Sequence, residues 1–159
     1  MAVAALIAWL VTAAGGFWML GIWISRGGMR QQNAGPSRFP APVILGHFLL
    51  AAAGLVIWIS YVAVHAKALA WTAFVVLLPV AALGFVMLLR WLPTWRASRV
   101  PAMAGGPGAA GPADGDLADG GLAEGGLAER HLPVPVIIGH GVFAVVTLLL
   151  VPLTAARVG

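Results

Sequence analysis

The sequence has no cysteine in its 159 residues, which excludes disulfides, cysteine-ligated zinc, iron–sulfur clusters and thiol nucleophiles. Charge is nearly as scarce, at 9% Asp, Glu, Lys and Arg together. Lysine occurs once, at Lys67, and every acidic side chain falls between Asp114 and Glu129. A Ser/His/acid triad and a carboxylate-held metal therefore have no home elsewhere in the chain, and the sequence points away from an enzyme. The net charge is +4 and the pI near 11.2, yet no dense Lys/Arg cluster with interleaved aromatics is present, so nucleic acid is not an expected partner.

What is abundant is apolar surface. Hydrophobic residues make up 61% of the chain and the mean hydropathy is +0.97, values that require a lipid bilayer as solvent. A helix needs about 20 mostly apolar residues to cross a hydrocarbon core about 30 Å thick. Four segments qualify, at about Ala2–Ser25, Pro42–Val64, Leu69–Leu92 and Val134–Ala155. The first lacks a basic flank and is read as a helix of the mature protein. Pro40, Pro42, Pro133 and Pro135 mark the starts of the second and fourth spans, where a missing N–H removes no helical bond.

Arg26, Arg30 and Arg38 separate spans one and two, and Arg90, Arg96, Arg99 and Arg130 lie at or beyond the end of span three, against Lys67 and Arg157 on the opposite side. The positive-inside rule then predicts a multi-pass membrane protein with both termini outside and loops 26–39 and 95–131 cytoplasmic. Trp91 and Trp95 are expected as anchors at the inner boundary and Trp71 at the outer one, with Trp18 and Trp58 packed inside the bundle. Residues 101–129 are almost wholly Gly, Ala, Pro, Leu and acid, a composition expected of a disordered tether.

The four spans contain a repeat. Residues 39–47, Phe-Pro-Ala-Pro-Val-Ile-Leu-Gly-His, match residues 132–140, Leu-Pro-Val-Pro-Val-Ile-Ile-Gly-His, at six of nine positions. Residues 16–24 match residues 84–92 at five of nine. The offsets are 93 and 68, and the difference coincides with the tether. The expected fold is therefore an all-α polytopic membrane protein of four transmembrane helices built from two tandem parallel helical hairpins, residues 1–66 and 67–159, related by an axis along the membrane normal.

His47 and His140 are equivalent under that repeat, and an ionisable side chain at such depth is a functional candidate. As axial ligands they could hold the iron of haem b between them, or the site could take a quinone. Gly46 and Gly139 beside them would admit a flat ligand, and Arg90, whose repeat counterpart is Ile22, could pair with a propionate or a quinone oxygen. The plainer reading has both histidines hydrogen-bonded between helices with no cofactor and Arg90 snorkelling to the headgroups. His65 and His131 are expected at the surface. Pro79 and Pro152 should kink their helices or leave a carbonyl free.

Through Trp23 to Arg26 followed by Gly27-Gly28, the Phe-Pro-Ala-Pro start of span two and the His-Leu-Pro-Val-Pro start of span four, the chain resembles small four-helix membrane proteins of high-G+C bacteria whose function is unassigned. Its paired histidines give a looser resemblance to four-helix b-type membrane cytochromes. The first resemblance implies four spans and an inner-membrane location; the second implies haem. Three function classes follow: an accessory or structural subunit that meets lipid and other membrane subunits, an electron-transfer protein that uses His47 and His140, and a small-molecule or lipid transporter. Apolar mid-span residues such as Leu49, Val56, Val76 and Leu148 argue against a path for charged solutes.

Overall fold

The computed structural model describes residues 1–34, 40–97 and 128–157. It is helical: α1 (Ala2–Ser25), α2 (Gly28–Ala34), α3 (Ala41–Val64), α4 (Lys67–Ala97) and α5 (Val134–Arg157), with one turn of 3-10 helix at Ala128–His131 before α5. Four of these, α1, α3, α4 through Pro93 and α5, are long and apolar enough to cross a membrane. Each has 24 residues or more, about 36 Å at 1.5 Å per residue. The expected tether falls outside the described residues up to position 127, as do Arg38 and Arg99.

The prolines act as anticipated. Pro40 adopts an extended conformation (φ −60°, ψ 126°) ahead of α3, and its carbonyl accepts the N–H groups of Val43 and Ile44 at 2.9 and 3.3 Å. At the start of α5 the Pro133 carbonyl does the same for Val136 and Ile137, at 3.0 and 3.2 Å. Pro79, Pro93 and Pro152 lie inside α4 and α5 without ending them. Because Pro93 is tolerated, α4 runs past the expected end at Leu92 and stacks Trp95 on Trp91 with ring centroids 5.7 Å apart.

His65 closes α3 in the left-handed conformation (φ 58°) and donates its N–H to Tyr61 O at 2.7 Å. Only His65 and Ala66 then separate α3 from α4, and so short a connection makes the two antiparallel neighbours. α3 packs most extensively on α4, and α1 on α5; contact between these two pairs is sparser, through α4 on α5 and α1 on α3. The main packing thus joins α1 to α5 and α3 to α4, not the sequence hairpins 1–66 and 67–159 within themselves.

Two apolar clusters fill the bundle. Trp9, Trp58, Tyr61, Leu77 and Val151 form one toward the α3–α4 turn, and Trp58 donates its indole N–H to Ala2 O at 3.3 Å. Trp23, Ile44, Trp91 and Ala128 form the other at the opposite end. Trp91 is thus buried in a core. Trp18, expected inside, is 65% exposed: it lies two residues, about 200°, around α1 from Gly16, which faces the interior. Phe17, Leu49, Val56, Val64 and Phe85 also point outward, an arrangement suited to hydrocarbon and not to water.

Candidate functional site

His47 and His140 each stand six residues into their helices, α3 and α5, and both are half-buried. The structure brings them together across the seam between the two helix pairs. Their ring centroids are 6.3 Å apart and the rings are tilted by 54°. Each ring is fixed from behind by its own pair. His47 donates Nδ1–H to Val80 O of α4 at 2.9 Å, and His140 donates Nδ1–H to Thr12 O of α1 at 2.8 Å. A carbonyl can only accept, so both imidazoles carry a proton on Nδ1, which in the neutral ring leaves the Nε2 lone pair as a possible ligand.

Both acceptors belong to ordinary helical turns, and reaching them needs room. That room comes from glycine four residues on. A Cβ at Gly16 would stand 3.3 Å from Cε1 of His140, and one at Gly84 would stand 3.2 Å from Cε1 of His47. Gly15 adds to the first cradle, where a Cβ would lie 3.5 Å from the His140 Cβ. Thr12 and Val80 differ by 68 positions, as do Gly16 and Gly84, while His47 and His140 differ by 93. The two sets of contacts therefore follow the offsets present in the sequence.

The glycines beside the histidines are not the ones that seat the rings, and the space beside them is open. A Cβ at Gly46 would touch only Leu83, at 4.0 Å, and one at Gly139 would meet nothing within 4 Å. The glycines that seat the rings are Gly15, Gly16 and Gly84 on the facing helices. The repeated Gly-Phe at 16–17 and 84–85 was the available signal for two of them. Arg90 lies on the exposed surface of α4, one residue before buried Trp91. His65 and His131 are exposed, and His65 sits 6.2 Å from the Tyr61 ring.

The chemistry open to the pair is narrow. Among the described residues no group of three or more His, Cys, Asp or Glu could hold a metal ion, so a bare zinc-type site, which takes three or four protein ligands, is not assembled. Two neutral imidazoles suffice where the equatorial ligands arrive with the metal, as in haem. Compared with known proteins, the chain matches no family model, no curated relative and no solved structure.

Proposed function

We propose that this chain is a four-span membrane subunit that holds a b-type haem between His47 and His140 and uses it for electron transfer. The separation of the two rings carries the reading. An imidazole nitrogen lies roughly 1.1 Å from its ring centre, so a direct N–H···N hydrogen bond would set the centroids about 5.2 Å apart. An iron bound by one nitrogen of each ring at about 2 Å would set them about 6.2 Å apart when both bonds lie on one line. The 6.3 Å between the two ring centroids is close to the second distance. A backbone carbonyl on the far nitrogen of each ring is also the usual way a metal-ligating histidine is oriented and made more basic.

The test is an absorption spectrum of the full chain purified from cells supplied with haem. A Soret band with visible bands that split on reduction is expected from the native protein, and its loss from either His47→Ala or His140→Ala. If no haem copurifies and none binds on titration, or if either variant keeps a six-coordinate spectrum, the haem reading falls and an accessory-subunit role without cofactor takes its place.

We also infer that the chain is an internal duplication inserted in parallel, α1–α3 corresponding to α4–α5, with both ends outside a bacterial plasma membrane. Burial supports the duplication: Ala5, Trp9 and Trp23 correspond at 68 to Ala73, Leu77 and Trp91, and Gly54, Trp58 and Tyr61 correspond at 93 to Thr147, Val151 and Thr154, all of them buried. The arginine distribution supports the orientation. Because the chain has no native cysteine, single cysteines report cleanly. A cysteine at position 66 should be labelled from outside intact cells and one at position 29 only after permeabilisation; the reverse pattern would overturn the orientation.

A further inference from the structure

At the end of α1 away from the α3–α4 turn, the chain folds back on itself around a cavity of about 520 Å³, lined by Ile24, Ser25, Arg26, Gly27, Met29 and Arg30. The fold here is built in steps. Arg26 and Gly27 donate their N–H groups to Ile22 and Ile24, both at 3.0 Å, which finishes α1. Gly27 then takes φ +79°, a conformation open to glycine without strain, and reverses the chain into α2. Gly28 lies flat against the Trp23 indole, where any Cβ would overlap the ring. Gln31 Oε1 accepts the Ala128 N–H at 3.1 Å and ties α2 to the 3-10 turn. These four contacts fix the turn that carries the lining residues.

Its lining combines cationic and apolar surface. Arg26 and Arg30 supply two guanidinium groups, and none of the described lining residues carries a carboxylate. Ile24 and Met29, 52% and 48% exposed, supply apolar surface beside them at the end of a membrane-length helix. A soluble anion would use the arginines and leave Ile24 and Met29 in water. A phospholipid presents both a phosphate and the first carbons of an acyl chain.

We propose that this cavity is a binding site for the phosphate headgroup of an anionic phospholipid, gripped by Arg26 and Arg30 with its upper acyl chain against Ile24 and Met29. The site rests on membrane insertion and is independent of whether haem is bound. Guanidinium groups match phosphate oxygens in a bidentate way, and each basic residue at an anionic membrane surface contributes about 1 kcal/mol.

The experiment is native mass spectrometry of the full chain in detergent, titrated with phosphatidylglycerol or with phosphatidylcholine of the same acyl chains. Phosphatidylglycerol should remain bound preferentially, and R26Q/R30Q should weaken it roughly tenfold to thirtyfold. R90Q/R96Q, which removes the same charge from α4, should leave it unchanged. Equal loss in both double variants, or equal retention of the two lipids, would overturn the site. If millimolar inorganic phosphate displaces phosphatidylglycerol completely, the ligand is free phosphate and the lipid assignment fails. Co-flotation of R26Q/R30Q with vesicles separates these outcomes from a failure of insertion, since the variant should still float.

Discussion

Around the histidines the two halves of the molecule are built alike, and away from them they are not. In both, an imidazole donates to a helix carbonyl over a glycine, at 2.9 and 2.8 Å. Toward the α3–α4 turn the same positions carry Trp9, Trp58 and Tyr61 in one half and Leu77, Val151 and Thr154 in the other, all buried. Gly54 faces the Trp9 ring, where a Cβ would lie 3.0 Å from Cζ2; the residues at the matching positions are Thr147 and Leu77. Where one half sets a large ring against glycine, the corresponding positions of the other hold leucine and threonine. Packing tolerates such volume exchange, because it needs filled space and not a particular side chain. The proposed paired-ligand site would not, since both rings must keep one separation and one tautomer.

The largest effects should therefore fall on the shared part, equally in both halves. Gly16→Val and Gly84→Val each drive a branched side chain toward an imidazole whose Cε1 lies only 3.3 Å and 3.2 Å, respectively, from where the Cβ alone would stand. Either should abolish the bis-histidine spectrum as completely as loss of the histidine itself, with helix content by circular dichroism retained. A spectrum that survives in one variant and not the other would break the equivalence of the halves.

The packing region should respond unequally. Trp58 and Val151 are both fully buried counterparts, but truncation to alanine empties far more volume at Trp58. By the cavity costs of soluble cores, Trp58→Ala should destabilise by about 3 kcal/mol and Val151→Ala by about 1 kcal/mol, read by unfolding in mixed micelles. The Trp58 variant also loses the bond to Ala2 O. Equal losses would mean that the two halves share strain in a way that burial does not capture.

A third contrast flanks the histidines. Phe48, next to His47, meets Phe17 edge-on with centroids 5.0 Å apart. The matching residue next to His140 is Gly141, where a Cβ would meet nothing within 4 Å. Gly141→Phe should fold with stability within about 0.5 kcal/mol of the native chain, since it removes a helical glycine and fills open space. Marked destabilisation would show that something else occupies that flank.

How much of this was legible in the sequence depends on which atoms do the work. The span positions followed from apolar length and from prolines at 40, 42, 133 and 135, because those residues constrain the backbone directly. The pairing of the histidines followed from the repeat. Their acceptors did not, since Thr12 O and Val80 O are main-chain atoms that any residue could supply. Trp18 was misplaced because depth in a span says nothing of direction; its 65% exposure follows from its angle to Gly16. The short α2 carries too few residues for a periodic pattern to register, so the turn at Gly27 and the cavity it encloses had no signature in the sequence.

The smallest expected difference between the halves is electrostatic. Arg90 has Ile22 as its counterpart, so one half alone brings a cation to this level, six residues beyond Gly84, or about 9 Å along α4. Its side chain is exposed, and solvent weakens its field at the ring pair. A unit charge roughly 15 Å away at an effective dielectric constant of about 40 contributes about 0.5 kcal/mol, equivalent to about 20 mV for one electron. A positive charge favours the reduced iron, which carries one positive charge fewer. Arg90→Ala should therefore lower the midpoint potential by about 20 mV, and the converse Ile22→Arg should raise it by a similar amount if the two positions are equivalent about the iron. Redox titration of both variants, followed at the visible bands, checks the sign and the symmetry together. Opposite shifts of similar size would support a centre equidistant from the two halves, whereas a shift from Arg90→Ala alone would place the centre nearer α4.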